Sequence, residues 1–121
     1  MIDDAFNSNP MGAARALGVL KQFAGRRIIV TPGMVELGEK EADYNRTFGT
    51  QMKDCVDLAV LVGAKHTQPI AEGMRSAGFA KEQILSVGSL DEALAKLREI
   101  SKPGDVILFE NDLPDNYSEM K

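Results

Sequence analysis

Leu58-Ala59-Val60-Leu61-Val62-Gly63 is an uncharged apolar run that ends on glycine. It is too short for an ordinary helix, and it has no polar alternation to mark a wet face. Such a run reads as a β-strand covered on both sides. Arg27-Ile28-Ile29-Val30-Thr31 has the same character and is broken by Pro32-Gly33. Ile84-Leu85-Ser86-Val87 and Val106-Ile107-Leu108-Phe109 supply a third and a fourth strand. Strands buried on both faces need parallel neighbours and a helix layer on each side.

The intervening segments carry helical spacing. Asn9-Pro10 reads as a helix start, followed by Met11, Ala14, Leu17 and Leu20, with Gly25 as the stop. A second helix is expected from near Glu39, with Tyr44, Phe48, Met52 and Cys55 along one side. A third has Pro69 in its first turn, Ile70, Met74 and Ala77 on one face, and Gly78 past its end. Ser89-Leu90-Asp91-Glu92 matches a capping box ahead of Ala93, Leu94, Leu97 and Ile100. The expected fold is α/β: a three-layer, Rossmann-like, mostly parallel sheet with helices on both faces. Ligands in such sheets gather at the carboxyl ends of the strands. The segments to read are therefore 31–39, 63–68, 88–89 and 110–117.

At 121 residues the chain fits one domain. Its formal net charge of −4 argues against a nucleic-acid backbone or an anionic membrane as main partner. One cysteine, Cys55, and one histidine, His66, exclude an internal disulfide framework, a cysteine-based zinc site and a multi-histidine metal site. No apolar run approaches the ~20 residues of a membrane span, so a soluble cytoplasmic domain is expected.

The chain contains no G-x-x-x-x-G-K-[ST] loop and no G-x-G-x-x-G after a strand, so no familiar triphosphate cradle is present. Carboxylates collect where ligands would sit: Glu36 and Glu39 beyond the first strand, and Glu110, Asp112 and Asp115 beyond the fourth. Brought together, they could hold an ammonium group or a hard cation; singly, they are solvated loop charges. His66, expected in the loop after the second strand, reads as a surface or capping residue, and Cys55 as a small buried hydrophobe. The opening Asp3-Asp4-Ala5-Phe6-Asn7-Ser8-Asn9-Pro10 is more polar than capping requires. It suggests a chain cut at a domain boundary.

Asp4-Ala5-Phe6-Asn7-Ser8-Asn9-Pro10 resembles the D-x-Y-N-x-N-P segment that leads into the C-terminal domain of Mur ligases. Gly33-Met34-Val35-Glu36-Leu37-Gly38 resembles the G-D-M-x-E-L-G turn after the first strand of that domain, and the strand–helix order fits it as well. The likeness runs closest to the branch that adds D-alanyl-D-alanine. It implies a three-domain cytoplasmic ligase of peptidoglycan synthesis that forms an amide through an acyl phosphate. Residues 1–10 would be a hinge from a missing central ATPase domain, and residues 11–121 the C-terminal domain. ATP and Mg²⁺ would be held mainly by the central domain. Asp4 would contact the nucleotide ribose, with Asn7 and Asn9 beside it. Glu36 and Asp112 are the candidates to bind the incoming amine, and no metal ligand is expected on this chain. Implied partners are a UDP-muramoyl peptide, an amino acid or dipeptide such as D-alanyl-D-alanine, and the enzyme's own N-terminal and central domains, with neither nucleic acid nor membrane.

Two departures stand out. Gly33, preceded by Pro32, replaces the aspartate before Met34. Glu110-Asn111-Asp112-Leu113-Pro114-Asp115 stands where the D-alanyl-D-alanine branch has a basic K-G-S-R-type segment. The alternative from another class is a free-standing, non-catalytic ligand-binding or regulatory α/β module. A receiver-like signalling domain would need acids where Thr31-Pro32-Gly33 stands.

Overall fold

The right-handedness of parallel crossovers sets the layout seen in the computed structural model, which describes residues 2–4, 10–33 and 38–110. The elements are β1 (Ile2–Asp4), α1 (Pro10–Lys21), β2 (Arg27–Thr31), α2 (Glu41–Gln51), β3 (Leu58–Val62), α3 (Ala64–Ser76), β4 (Ile84–Val87), α4 (Leu90–Ile100) and β5 (Val106–Glu110). Short 3-10 turns at Gly38–Lys40 and Lys81–Gln83 precede α2 and β4. The five strands are ordered β1-β5-β2-β3-β4, and every pairing is parallel. Connections from β1 to β4 all step the same way across the sheet, which places α1, α2 and α3 on one face. The return from β4 to β5 runs backwards, so α4 covers the other.

Strand residues divide accordingly. Ile29, Ala59, Leu61 and Leu108 pack with Leu17 and Leu20 of α1, Phe48 of α2, and Ile70 and Met74 of α3. Ile28, Val30, Leu58, Val60, Val62 and Phe109 pack with Ala93 and Leu97 of α4. Period-two side chains with both faces covered give the unbroken apolar runs of the sequence. Among the described residues, no helix is long and apolar enough to cross a membrane.

Several details differ from the sequence expectations: α2 ends at Gln51, so Met52 and Cys55 lie just beyond it rather than along it. The sheet has a fifth strand, β1, paired with β5 within the stretch read as a hinge. Its two aspartates are poor strand formers, which hid it. The third helix starts at Ala64, five residues before Pro69, so Pro69 lies inside α3 rather than in its first turn. The backbone break falls at Gly63, with φ 89°, and the chain turns from strand straight into helix. His66 is accordingly in α3, not in a loop. Tyr44 is exposed, whereas Asn45, Phe48 and Gly49 are the buried residues of α2.

α2 and α3 cross with their backbones in near contact. A Cβ on Gly49 would collide with the Ile70 carbonyl oxygen, and one on Gly73 with that of Arg46. Gly18 of α1 has nothing within 4 Å of such a position. Alanine is the better helix former by about 1 kcal/mol, so the two sites should respond in opposite senses. Gly18→Ala should raise stability by about 0.5–1 kcal/mol, while Gly73→Ala should lower it by about 1–3 kcal/mol through overpacking. Urea midpoints of the two variants check this, and a stabilised Gly73→Ala would contradict the close crossing.

Candidate functional site

Parallel pairing brings every strand's carboxyl end to one edge of the sheet. There β2 ends at Thr31 and continues into Pro32-Gly33, β3 passes through Gly63 into α3, and β4 passes through Gly88-Ser89 into α4. Ser89 Oγ accepts the Glu92 amide at 3.2 Å, starting α4 as the sequence suggested. β5 lies between β1 and β2, with Asp4 opposite Glu110 and Val30 opposite Phe109.

The expected site residues relate to this edge as follows. Asp4 is the last residue of β1, in backbone register with Glu110. Asn7, Asn9, Glu36 and Asp112 lie outside the described residues. Glu36 follows Gly33 by three residues and Asp112 follows Glu110 by two. Their parent strands, β2 and β5, are immediate neighbours.

The same edge holds features that the sequence reading missed. The buried polar side chains among the described residues are Thr31, Asn45 and Thr67. Thr31 Oγ1 accepts the Gly33 amide at 3.0 Å, tightening the turn out of β2. Thr67 Oγ1 donates to the Gly63 carbonyl at 2.9 Å, securing the entry to α3. Asn45 lies beside Gly33, whose φ is 80°. A Cβ there would stand 3.1 Å from both Asn45 Oδ1 and Ile70 Cδ1. Asn45 shares a face of α2 with Phe48 and Gly49, and Met52, the residue capping the helix, continues a three-four-seven spacing present in the sequence.

The opposite edge is electrostatically different. Arg26 grips Asp105 with two bonds, Nη2 to Oδ2 at 2.6 Å and Nε to Oδ1 at 3.2 Å, and also donates to the Ile100 carbonyl. Arg27 donates its amide to Asp57 at 2.7 Å and its Nε at 3.1 Å. The pair ties the start of β2 to the starts of β5 and β3. The Arg26 guanidinium and the Lys102 amide hold the Asp105 carboxyl below the ordinary carboxylate range. Partial burial pushes Asp57 up, but hydrogen bonds from the Arg27 side chain and amide, with the nearby arginine charges, outweigh it and leave the group lowered. Hydrogen bonds to their aspartates hold Arg26 and Arg27 above their usual value. A shallow cavity of about 250 Å³ opens here, lined by Arg27, Lys53, Asp54, Asp57 and Phe79 among others. Its arginine is already committed to Asp57 and to the Asp54 carbonyl, so the cavity reads as a by-product of the clamp.

A carboxyl whose folded pKa is depressed contributes stability above its unfolded value, about 3.9 for Asp, and loses it as pH falls through the lower folded value. Stability attributable to Asp57 and Asp105 should therefore be flat above about pH 5 and fall below about pH 4. The Asp57→Asn/Asp105→Asn variant should be less stable at pH 7 and show a shallower loss towards pH 3. Parallel wild-type and variant curves in chemical denaturation across that range would show that the two carboxylates are not the clamp.

Comparison with known proteins places this geometry. The family described as "Mur ligase, glutamate ligase domain" matches residues 1–110. The UDP-N-acetylmuramoyl-tripeptide–D-alanyl-D-alanine ligase of Mycobacterium bovis is 32% identical over an alignment of 127 residues, covering 89% of this chain and 25% of that protein. The UDP-N-acetylmuramoylalanine–D-glutamate ligase of Pelotomaculum thermopropionicum is 30% identical over 108 residues, covering 89% of this chain and 21% of that protein. The chain thus spans a quarter or less of the length of these curated relatives. The crystal structure of MurF ligase from Thermotoga maritima in complex with ADP superposes with a TM-score of 0.71 at 22% identity, over 89% of this chain and 23% of that one. At that identity the likeness is one of fold.

Proposed function

The chain belongs to the Mur ligase family through its glutamate ligase domain, and from that premise we propose that it is the C-terminal domain of a cytoplasmic, ATP-dependent amide ligase of peptidoglycan synthesis. The observation that carries the reading is the family match over residues 1–110 in a sequence that has no triphosphate-binding loop of its own. A domain of this kind works by completing a site that another domain begins.

In the proposed reaction, a carboxylate of a UDP-muramoyl peptide attacks the γ-phosphorus of ATP on the central domain, giving an acyl phosphate and ADP. The amine brought by this chain then attacks the acyl carbon, an amide bond forms, and inorganic phosphate leaves. Closure of this domain excludes water from the acyl phosphate and holds the amine at attack distance. Mg²⁺ would neutralise phosphate charge. We assign that ion to the central domain, as the resemblance to Mur ligases implies. Residues 1–10 would then serve as the hinge segment as well as supplying β1.

The residues assigned to this chemistry are those at the carboxyl edge. Asp4, with Asn7 and Asn9, would meet the nucleotide ribose. Glu36 and Asp112, carried on segments that leave the adjacent strands β2 and β5, would hold the ammonium group before it is deprotonated. The acidic 110–115 segment suits an ammonium better than an anion. D-alanyl-D-alanine is the proposed amine, in keeping with the Mycobacterium bovis relative. D-glutamate, named in the Pelotomaculum relative, is the competing substrate.

The test is steady-state kinetics of the intact ligase, with each amine offered in turn. Asp4→Ala should lower kcat/KM for ATP by about ten- to a hundredfold, the scale of a charge-assisted hydrogen bond. Glu36→Gln and Asp112→Asn should raise the KM of the amine and leave that of ATP unchanged. Equal losses on both substrates would point to impaired closure, and unchanged kinetics would remove these residues from the site.

A further inference from the structure

The sheet ends on two border strands, β1 and β4, each paired on one side only among the described residues. Border strands invite further strands, and natural proteins guard them with charges, prolines or bulges. β1 carries two aspartates in three residues. β4, Ile84-Leu85-Ser86-Val87, carries no charge and no proline. One bond fixes its backbone alternation: the Val87 carbonyl accepts the Gly63 amide at 2.8 Å and so points towards β3. The N–H and C=O of a strand residue share a side, and neighbouring residues alternate. The backbone of Leu85 therefore faces β3 as that of Val87 does, and the N–H and C=O of Ser86 turn outward. The other outward residue, Ile84, spends its amide on the Lys81 carbonyl of the preceding turn. Ser86 is also the exposed residue of the strand. Beside it runs a groove of about 460 Å³, walled by β4 and by Glu92, Ala95, Lys96 and Glu99 of α4. Leu85 and Val87 are only partly buried against the α4 layer. The charges of the α4 wall run acid, base, acid, and Lys96 is held loosely, 3.9 Å from Glu99.

We propose that the outer side of β4 pairs with the same strand of a second copy of this chain, antiparallel about a two-fold axis beside Ser86. The two Ser86 residues then exchange both N–H···O bonds, as a hydrogen-bonded antiparallel pair does. Leu85 of each copy lies across from Val87 of the other, which extends the apolar layer beneath α4 over the junction. The two-fold also reverses the α4 wall, so that the lysine of one copy is offered to a glutamate of the other. Such a contact is isologous, one patch being its own complement. A second copy suits the site better than a lone extended peptide, because it brings its own α4 and the reciprocal charges with the strand. The junction joins the two five-stranded sheets into one and sends their carboxyl edges to opposite ends, so neither copy obstructs the other's candidate site.

The experiment is sedimentation velocity of the 121-residue chain across micromolar concentrations, with amide exchange followed by NMR in dilute and concentrated samples. The chain should sediment as a reversible dimer. The Ser86 amide should exchange quickly when dilute and slowly when concentrated, while the inward amides of Leu85 and Val87 stay protected in both. Ser86→Lys, which sets two cations against each other at the axis, should raise the dimer dissociation constant by about tenfold or more and leave the circular dichroism unchanged. Ser86→Thr should keep the dimer, and Lys96→Glu should weaken it through the α4 wall. If Ser86→Lys does not fold, the Ser86 amide and Lys96→Glu decide the matter. A chain that stays monomeric at every concentration would overturn the proposal and leave β4 to an extended segment of another protein. A dimer that ignores both Ser86→Lys and Lys96→Glu, with the Ser86 amide exchanging freely, would overturn it too, since that dimer uses another surface.

Discussion

The burial of β2 and β3 on both faces is the constraint from which the rest of the structure follows. Ile28 to Thr31 and Ala59 to Val62 are all at 0% exposure, so each strand needs a helix layer above and below. Parallel pairing with right-handed crossovers meets that demand, and the reversed step from β4 to β5 delivers the second layer. The register of these central strands is pinned where they begin. Arg26 and Arg27, consecutive at the entry to β2, reach sideways to Asp105 and Asp57 at the entries to β5 and β3. Surface ion pairs contribute little singly. Here two adjacent arginines, each also bonded to a backbone carbonyl, form a network across three strands.

That arrangement divides the sheet into two edges with different work. The amino edge carries the Arg26–Asp105 and Arg27–Asp57 pairs, whose carboxyls are the ones held low. The carboxyl edge is secured by neutral groups: Thr31 on Gly33, Thr67 on Gly63, Ser89 on the first turn of α4. Among the described residues, the side chains that secure these turns are therefore uncharged.

How much of this was legible in the sequence depended on whether chemistry and geometry agreed locally. The four apolar strands were legible because two-sided burial leaves no polar alternation to confuse them. β1 was not, because Asp3 and Asp4 oppose strand propensity and three residues carry no period. Pro69 suggested a helix start by the rule that proline favours the first turn; the turn from Gly63 straight into α3 overrode it, and His66 moved from loop to helix with it. Asn45 was hidden by a choice of helical phase. Tyr44 is the larger and more apolar neighbour, yet Asn45 has the spacing to Phe48 and Met52 that the seam uses. Of the residues named by the family motifs, Asn7, Asn9 and Glu36 lie outside the described residues, whereas the buried polar residues Thr31, Asn45 and Thr67 emerge only once the packing of β2, α2 and α3 is seen.

The central claim is that this domain supplies the amine to an acyl phosphate made by its partner domain. It is tested most directly by the products of one turnover of the intact ligase with ATP, the UDP-muramoyl tripeptide and D-alanyl-D-alanine. Mass spectrometry should find the tripeptide substrate increased by the dipeptide less one water, with one ADP and one inorganic phosphate formed per amide. Formation of AMP, or ADP and phosphate released without any amide in the presence of either D-alanyl-D-alanine or D-glutamate, would contradict it.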